Sequence, residues 1–196
     1  MIERMEKYFV VPQEQCKYID TTKVDYSLST FGCFICVGIG IIVDKKQFMS
    51  HTSSDAMFKE FVQKDLIEFA KTIDKNAEMI VFLVGAIMGL SDNTVEIALR
   101  ILLNNHNGPM KIIDLTRGGF SSGAACIILD NNWQRTIIYD MDPPCKYTPN
   151  EIIEFESSLI KTTKDFAHRI YDINTVGSKS NSEIINNTVS KIMANV

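Results

Sequence analysis

The feature that most restricts the fold of this chain is an apolar run of 12 residues, 79–90, near its middle. The run is shorter than the roughly 20 apolar residues that a membrane-spanning helix needs, and Gly85 and Gly89 interrupt it. Residues 78–85 therefore predict a strand that is buried on both faces. Such a strand requires covering layers on each side, which favours a layered α/β domain over a membrane protein.

Alternating strands and helices are predicted around this run. A polar turn at residues 44–46 joins two strand-like stretches into a hairpin, and helical spacing of apolar residues follows a helix start at Ser54 and Asp55. Strands are predicted at residues 23–30, 34–43, 47–51, 110–115, 124–130 and 135–139, and helices at about 57–73 and 94–104, the latter capped by Ser91, Asp92 or Asn93.

The C-terminal part is predicted to be helical. Thr148, Pro149 and Glu151 form a capping box with proline at the first helical position, which predicts a long helix ending near Tyr171. A linker at residues 176–180 leads to a last short helix at 183–193. Residues 149–196 are therefore interpreted as a helical segment appended to a single α/β domain that spans residues 1–196.

Composition restricts the partners and the compartment. The chain has 196 residues, 45% of them hydrophobic and 22% charged, as in one ordinary globular domain. Its net charge of −4 argues against a nucleic-acid partner. The N-terminal residues lack a signal peptide, and five cysteines form an odd number, which favours reduced thiols and synthesis in the cytoplasm. An effector protein injected into a host cell would share these properties.

Two motifs have the spacing of a functional site but not its context. Cys33 and Cys36 form a C-x-x-C pair, yet a strand follows them where a redox site needs a helix N-terminus, and no second cysteine pair completes a zinc site. Residues 119–123 fit the G-x-S-x-G pattern of a nucleophile elbow, but the following residues are strand-like rather than helical. A glycine loop is the favoured interpretation there.

A third candidate pairs Cys36 with His51, which the hairpin brings to the same end. A histidine activates a cysteine because the thiolate is the nucleophile and imidazolium stabilises it. A cysteine on an apolar strand is most often a core residue, and a histidine at a strand end is usually on the surface, so spacing alone leaves both interpretations open. Pairing Val43 with Gln47 would place Cys36 and His51 on opposite faces, and a catalytic pair therefore requires a bulge or a one-residue shift.

The residues around this pair form a longer motif. Thr30 precedes a Gly-containing segment, Cys36 opens the strand Cys-Val-Gly-Ile, and His51 follows the hairpin. This pattern resembles the chemoreceptor glutamine deamidase family, CheD, whose catalytic Cys opens a C-V-G-V strand. His51 with the two residues after it is similar to the His-Thr-Gly of the cytotoxic necrotizing factor catalytic domain, a toxin of the same superfamily. Segments at 84–88 and 114–119 extend the resemblance, which covers residues 23–139.

The sequence departs from both families just before the nucleophile. Phe34 and Ile35 stand where the chemotaxis family has Gly-Ser. The toxins have glycine immediately before their cysteine, which favours Cys33 after Gly32 as the alternative nucleophile. Cys36 is preferred because the following strand and its spacing to Thr30 and His51 are nearer those of the chemotaxis family.

The resemblance implies a fold and a reaction. It implies an α/β (α+β) sandwich of mixed sheets with flanking helices, to which the C-terminal helices are additional. It implies that the protein deamidates glutamine, with Cys36 as nucleophile, His51 as acid and base, and Thr30 orienting the imidazole. No metal or organic cofactor is required by this chemistry.

The implied partner is a protein that carries an exposed glutamine, with no nucleic acid and no membrane. The additional helices favour a toxin or virulence effector acting on a host protein over a chemotaxis enzyme. Two alternatives remain: a catalytically inactive binding module of the same fold, and an amidase acting on N-terminal asparagine or on small amides.

Overall fold

A computed structural model describes residues 8–53, 60–86, 91–116, 124–141, 161–175, 177–180 and 182–194. The strands are β1 (Tyr8–Val10), β2 (Gln15–Asp20), β3 (Ser27–Cys33), β4 (Val37–Val43), β5 (Lys46–Thr52), β6 (Met79–Gly85), β7 (Met110–Thr116), β8 (Ala124–Ile128), β9 (Ile137–Met141), β10 (Lys161–Thr162) and β11 (Ile170–Asp172). The α-helices are α1 (Glu60–Thr72), α2 (Asp92–Asn105) and α3 (Glu183–Met193), and 3-10 segments occupy Trp133–Arg135 and Thr163–Arg169.

The strands form two mixed sheets. The five-stranded sheet has the order β1-β3-β8-β9-β10, and the six-stranded sheet has the order β11-β7-β6-β4-β5-β2. β1 pairs with β3 in parallel and β6 pairs with β7 in parallel, whereas the other pairs are antiparallel. The predicted combination of mixed sheets and helices is confirmed at this level.

β4 is buried on both faces at the centre of the six-stranded sheet. Because side chains alternate along a strand, one face of β4 carries its odd-numbered residues and the other its even-numbered residues. The odd-numbered residues pack with α1, α2 and α3 in the helix-side core, which includes Val37, Ile39, Ile41, Val43, Val81, Leu66, Leu99 and Val189. The even-numbered residues face the five-stranded sheet in the inter-sheet core, which includes Ile42, Leu28, Phe82, Ile127 and Leu129. The described residues therefore form three layers: helices, six-stranded sheet and five-stranded sheet.

Several predicted elements are confirmed. The apolar run begins with β6, which is buried along its whole length. The hairpin is β4–β5, and the last helix has the predicted bounds, Glu183–Met193. The helix predicted from about residue 57 is α1, although its predicted start at Ser54 and Asp55 lies outside the described residues. None of the described helices has both the length and the apolar character needed to cross a membrane.

The prediction of a long C-terminal helix ending near Tyr171 is wrong for residues 161–171, which the structure describes. Residues 161–162 pair with β9, residues 170–172 pair with β7, and a 3-10 segment holding His168 lies between them. Both sheets gain an edge strand in this way, and the backbone hydrogen bonds of those strands outweigh the helical spacing of the side chains. The predicted capping box at Thr148–Glu151 lies outside the described residues.

Several strand boundaries also differ from prediction. The strand predicted from residue 34 begins at Val37, and residues 34–36, with Cys36, form a bend before it. Residues 23–26 precede β3, because Lys23 donates its amide to the Asp20 carbonyl in a turn after β2. β9 begins at Ile137 rather than at residue 135, because Trp133–Arg135 form a 3-10 turn. Asn132 caps that turn by accepting a hydrogen bond from the Gln134 amide.

Gly85 ends β6 in the left-handed region, with φ +72°. A Cβ added there would lie 2.2 Å from the Cys36 carbonyl oxygen and 2.8 Å from that of Cys33. Gly32 has a similar φ of +74°, but a Cβ added to it would meet nothing within 4 Å. Replacing Gly32 therefore tests the backbone conformation alone, whereas replacing Gly85 tests the backbone conformation together with close packing.

We expect Gly32→Ala to lower the free energy of unfolding by about 1–2 kcal/mol, the cost of a left-handed alanine. Gly85→Ala has the same cost plus the displacement of two carbonyl groups, which together amount to about 3–5 kcal/mol. Urea unfolding of both variants measures the difference. Equal losses in the two variants would contradict the close packing of residues 33–36 on Gly85.

Candidate active site

The strands of the six-stranded sheet align four residues in a row at one end. Thr52 of β5 pairs with Val37 of β4, which pairs with Gly85 of β6, which pairs with Thr116 of β7. We call this row, with the bend at residues 34–36 that precedes β4, the site end. All three sequence-predicted site residues lie at or next to it.

His51 faces the inter-sheet core because the hairpin turn is one residue shorter than predicted. Val43 pairs with Lys46, leaving only Asp44 and Lys45 in the turn. His51 therefore lies opposite Gly38, and Cys36 stands two residues before Gly38, in the bend that precedes β4. The one-residue shift of the hairpin register that the predicted pair requires is present.

Gly38 makes room for this arrangement. A Cβ on Gly38 would lie 2.5 Å from Val84 Cγ2, 2.8 Å from Cys33 Sγ and 3.4 Å from Thr30 Cγ2. The two sheets thus approach closely beside His51, because β4 carries only a hydrogen atom there. Thr30 and Cys33 of β3 reach the same space from the five-stranded sheet.

Thr30 holds the imidazole of His51. Its Oγ1 lies 2.9 Å from His51 Nδ1 and 3.0 Å from the Val11 carbonyl oxygen. A hydroxyl has one proton, and a carbonyl can only accept, so Thr30 donates to Val11 and accepts from the N–H at Nδ1. Neutral His51 therefore carries its proton at Nδ1 and a lone pair at Nε2.

His51 Nε2 is the free position of the ring. It is buried and has no hydrogen-bond partner among the residues that the structure describes. The side chain is 5% exposed, and its desolvation lowers the pKa to about 4, against an opposing effect of the Glu14 carboxylate. At neutral pH the ring is uncharged and Nε2 is available to take a proton.

The four described cysteines differ in their ability to react. Cys33 and Cys126 are buried, and burial, together with the neighbouring Cys126 and Cys36 thiols, raises the pKa of Cys33 well above its usual value despite a smaller opposite effect of Thr30. On the opposite face, burial and the hydrogen bond to Asp65 raise the pKa of Cys16 to about 12. Cys36 is half-buried in the bend at the site end. It is therefore the thiol of the site that solvent reaches.

The bend that carries Cys36 is held by backbone contacts. The Ala86 amide donates to the Cys36 carbonyl at 2.9 Å, and Ala86 itself has a left-handed φ of 60°. The Ser91 hydroxyl, at the N-terminus of α2, donates to the Ile35 carbonyl at 3.2 Å. The positive end of the α2 dipole thus lies beside the bend.

Cys36 and His51 are not hydrogen-bonded to each other. Nδ1 is used by Thr30, and Nε2 has no partner within the described ranges. The structure therefore brings Thr30 and His51 together and places Cys36 at the same end of the sheet, without a hydrogen bond to the imidazole.

The other candidate motifs have the predicted context or lie outside the described residues. Cys33 ends a strand and Cys36 precedes another, so the C-x-x-C pair lacks a following helix. No group of three possible metal-ligating side chains occurs in the described ranges. Residues 119–123 are not described, and the strand predicted after them is present as β8.

Asp114 is buried and accepts hydrogen bonds from Thr116 and Ser180, which gives it a structural role.

Sequence reasoning missed Glu14, which lies on the connection between β1 and β2. Its amide donates to the His51 carbonyl at 2.6 Å, and its Oε1 accepts the Ser53 amide at 2.9 Å. Nothing in the local sequence indicates this position, because the contact depends on the pairing of β2 with β5. A polar residue in a loop containing Pro12 is typical of ordinary surface.

No protein-family model matches the chain, and no curated protein matches it.

His51 gives a pH-dependent contribution to stability. Its pKa is about 4 when folded, below the usual 6.5, so between these values the unfolded chain binds a proton that the folded chain does not. The free energy of unfolding therefore decreases as the pH falls from 6.5 to 4, by on the order of 3 kcal/mol from this group.

We expect His51→Gln to reduce that slope, because glutamine does not titrate. Urea unfolding at pH 7, 5.5 and 4.5 compares the variant with the unchanged protein. His168→Gln is the matched control, since His168 is exposed. Parallel pH profiles for His51→Gln and the unchanged protein would show that His51 titrates normally.

Proposed function

We propose that this protein is a glutamine deamidase that acts on a protein substrate, with Cys36 as nucleophile, His51 as acid and base, and Thr30 orienting the imidazole. The observation that carries the proposal is the hydrogen bond of 2.9 Å that His51 Nδ1–H donates to Thr30 Oγ1. It leaves the Nε2 lone pair directed away from Thr30, at the end of the sheet that holds a half-buried thiol. The resemblance to the chemoreceptor deamidases supports the same three residues.

The reaction begins with proton transfer. His51 Nε2 takes the Cys36 proton, and the thiolate attacks the carboxamide carbon of a glutamine side chain. The imidazolium then gives the proton to the nitrogen, which leaves as ammonia, and a thioester remains. A water molecule, deprotonated by His51, hydrolyses the thioester and releases glutamate with the Cys36 thiol restored.

The intermediates of both steps carry an oxyanion. Backbone N–H groups near Cys36 are suited to bind it, and each such donor is worth about 3–4 kcal/mol in comparable acyl-transfer enzymes. The positive end of the α2 dipole lies beside the same bend and favours negative charge there. The deamidation proposed here requires no metal ion and no organic cofactor.

Accessibility favours Cys36 over Cys33 as the nucleophile. Cys33 is fully buried, and burial raises the pKa of its thiol well above the usual value. A substrate side chain cannot reach it without opening the contact between the two sheets. Cys36 lies in an accessible bend whose neighbour Ile35 is 42% exposed.

An exposed apolar side chain beside Cys36 favours a protein substrate. The exposed Ile35 beside Cys36 offers an apolar contact for the surface around a glutamine. An effector that is made in the bacterial cytoplasm and delivered into a host cell fits the reduced cysteines and the resemblance to the toxin domain. A chemotaxis receptor is the alternative protein substrate, and an inactive binding module or a small-amide amidase are the alternative functions.

The proposal predicts deamidation that depends on Cys36. The protein, its Cys36→Ala variant and its Cys33→Ala variant are incubated with bacterial and eukaryotic lysates, and peptide mass spectrometry records conversions of glutamine to glutamate. We expect conversion at a specific site with the unchanged protein, none with Cys36→Ala, and retained conversion with Cys33→Ala wherever this variant remains folded. Conversion in a eukaryotic protein alone supports the effector assignment.

Other outcomes separate the alternatives. If activity is lost in Cys33→Ala and retained in Cys36→Ala, Cys33 is the nucleophile and the proposed mechanism is otherwise unchanged. Ammonia released only from free glutamine or N-terminal asparagine peptides would replace the protein substrate with a small amide. No Cys36-dependent ammonia from any of these substrates would support the binding module.

Thiol labelling tests the pair without a substrate. We expect iodoacetamide to label Cys36 fastest among the five cysteines, and His51→Gln to slow that labelling, because the thiolate loses its proton acceptor. Cys36→Ala should change the free energy of unfolding by less than about 1 kcal/mol, since the side chain is half-buried at a strand end. If His51→Gln leaves the labelling rate of Cys36 unchanged and Cys36→Ala causes a large loss of stability, Cys36 is a packing residue.

A further inference from the structure

Glu14 is held at the site in a strained conformation. Its φ is 66°, in the left-handed region that side chains other than glycine rarely adopt. No glycine or asparagine occupies the position, although either would relieve the strain. Strain of this kind persists where surrounding contacts maintain it, and it is concentrated at functional sites.

Two hydrogen bonds fix Glu14 against the strand that carries His51. The Glu14 amide donates to the His51 carbonyl at 2.6 Å, and Glu14 Oε1 accepts from the Ser53 amide at 2.9 Å. The second carboxylate oxygen, Oε2, is shielded from solvent. The carboxylate therefore lies at the end of β5 in an environment where its charge is weakly screened.

His51 needs a nearby negative charge if its imidazolium is to form. The ring is buried beside apolar residues, and burial lowers its pKa to about 4. The ionisable groups packed beside it are Glu14 on the β1–β2 connection and Cys33 on β3, and Cys36 lies before β4 at the same end of the sheet. Cys33 stays a neutral thiol, so among the described residues the Glu14 carboxylate supplies the negative charge that opposes the desolvation.

We propose that Glu14 is a positioning residue for the reaction, whose carboxylate stabilises the imidazolium that His51 becomes when its Nε2 takes the Cys36 proton. This inference rests on the proposed function for its catalytic consequence. Thr30 fixes the orientation of the ring, and Glu14 supplies the charge, so the two roles that one carboxylate combines in many triads are divided here between two residues.

The test removes the charge and keeps the shape. Glu14→Gln retains an oxygen that can accept the Ser53 amide, whereas Glu14→Asp retains the charge and tolerates the left-handed backbone. Glu96→Gln, on the exposed side of α2, is the control for loss of one negative charge. All variants are first checked by circular dichroism for an unchanged fold.

The first measurement is the His51 pKa, obtained by NMR of the imidazole in the Cys36→Ala background. We expect Glu14→Gln to lower it by about one pH unit, and Glu14→Asp and Glu96→Gln to leave it near its starting value. An unchanged pKa in folded Glu14→Gln would overturn the proposal.

The second measurement is the rate at which iodoacetamide labels Cys36 at pH 7, in variants that retain Cys36. We expect a loss of about tenfold in Glu14→Gln and recovery in Glu14→Asp. Equal labelling rates in Glu14→Gln and Glu96→Gln would overturn the role of Glu14 in forming the pair.

These readouts separate the two proposals. A pKa shift and slower labelling in a protein that deamidates nothing would support Glu14 as the electrostatic partner and reject the deamidase. Deamidation that depends on Cys36 and is indifferent to Glu14→Gln would support the deamidase and reject the role of Glu14.

Discussion

The burial of β4 on both faces is the constraint on which the rest of the structure depends. A strand of valine, isoleucine and glycine at the centre of a sheet needs apolar cover above and below, and each fully buried valine or isoleucine contributes about 1.5–3 kcal/mol. Helices cover the side that carries Val37, Ile39 and Ile41, and the second sheet covers the side that carries Gly38 and Gly40. The glycines let the sheets come close enough for a side chain of one sheet to bond a side chain of the other.

That contact places a polar pair inside an apolar layer. A buried imidazole with neither nitrogen bonded would be costly, and the chain from His51 Nδ1 through Thr30 to the Val11 carbonyl satisfies one of them. Nε2 is left buried and without a partner in the described part of the chain. A polar atom retained in this way at the expense of stability is typical of functional sites, where protein stability and activity impose different requirements.

Much of the layered fold could be predicted from sequence, because its signals are local. The apolar run identified β6, and the last helix was placed at the correct residues after the linker at residues 176–180. Edge strands β10 and β11 could not be found in this way. They are two and three residues long, and only pairing with distant strands defines them.

The residues of the candidate site, Cys36, His51 and Thr30, are a prediction from spacing and resemblance. Their geometry could not be predicted, because the face on which His51 lies depends on a single residue in the hairpin turn. The composition of the turn does not determine its length. Glu14 depends on a strand register between β2 and β5, which no local pattern encodes.

The two sheets are connected by the chain at both of their edges. On one side the short connection from β1 to β2 passes from the five-stranded to the six-stranded sheet, and on the other the Thr163–Arg169 segment joins β10 to β11 across the same gap. Two sheets joined along one edge can slide past each other or separate at the opposite edge, whereas two sheets joined along both edges resist shear. The spacing between Thr30 and His51 is therefore insensitive to small deformations of either sheet.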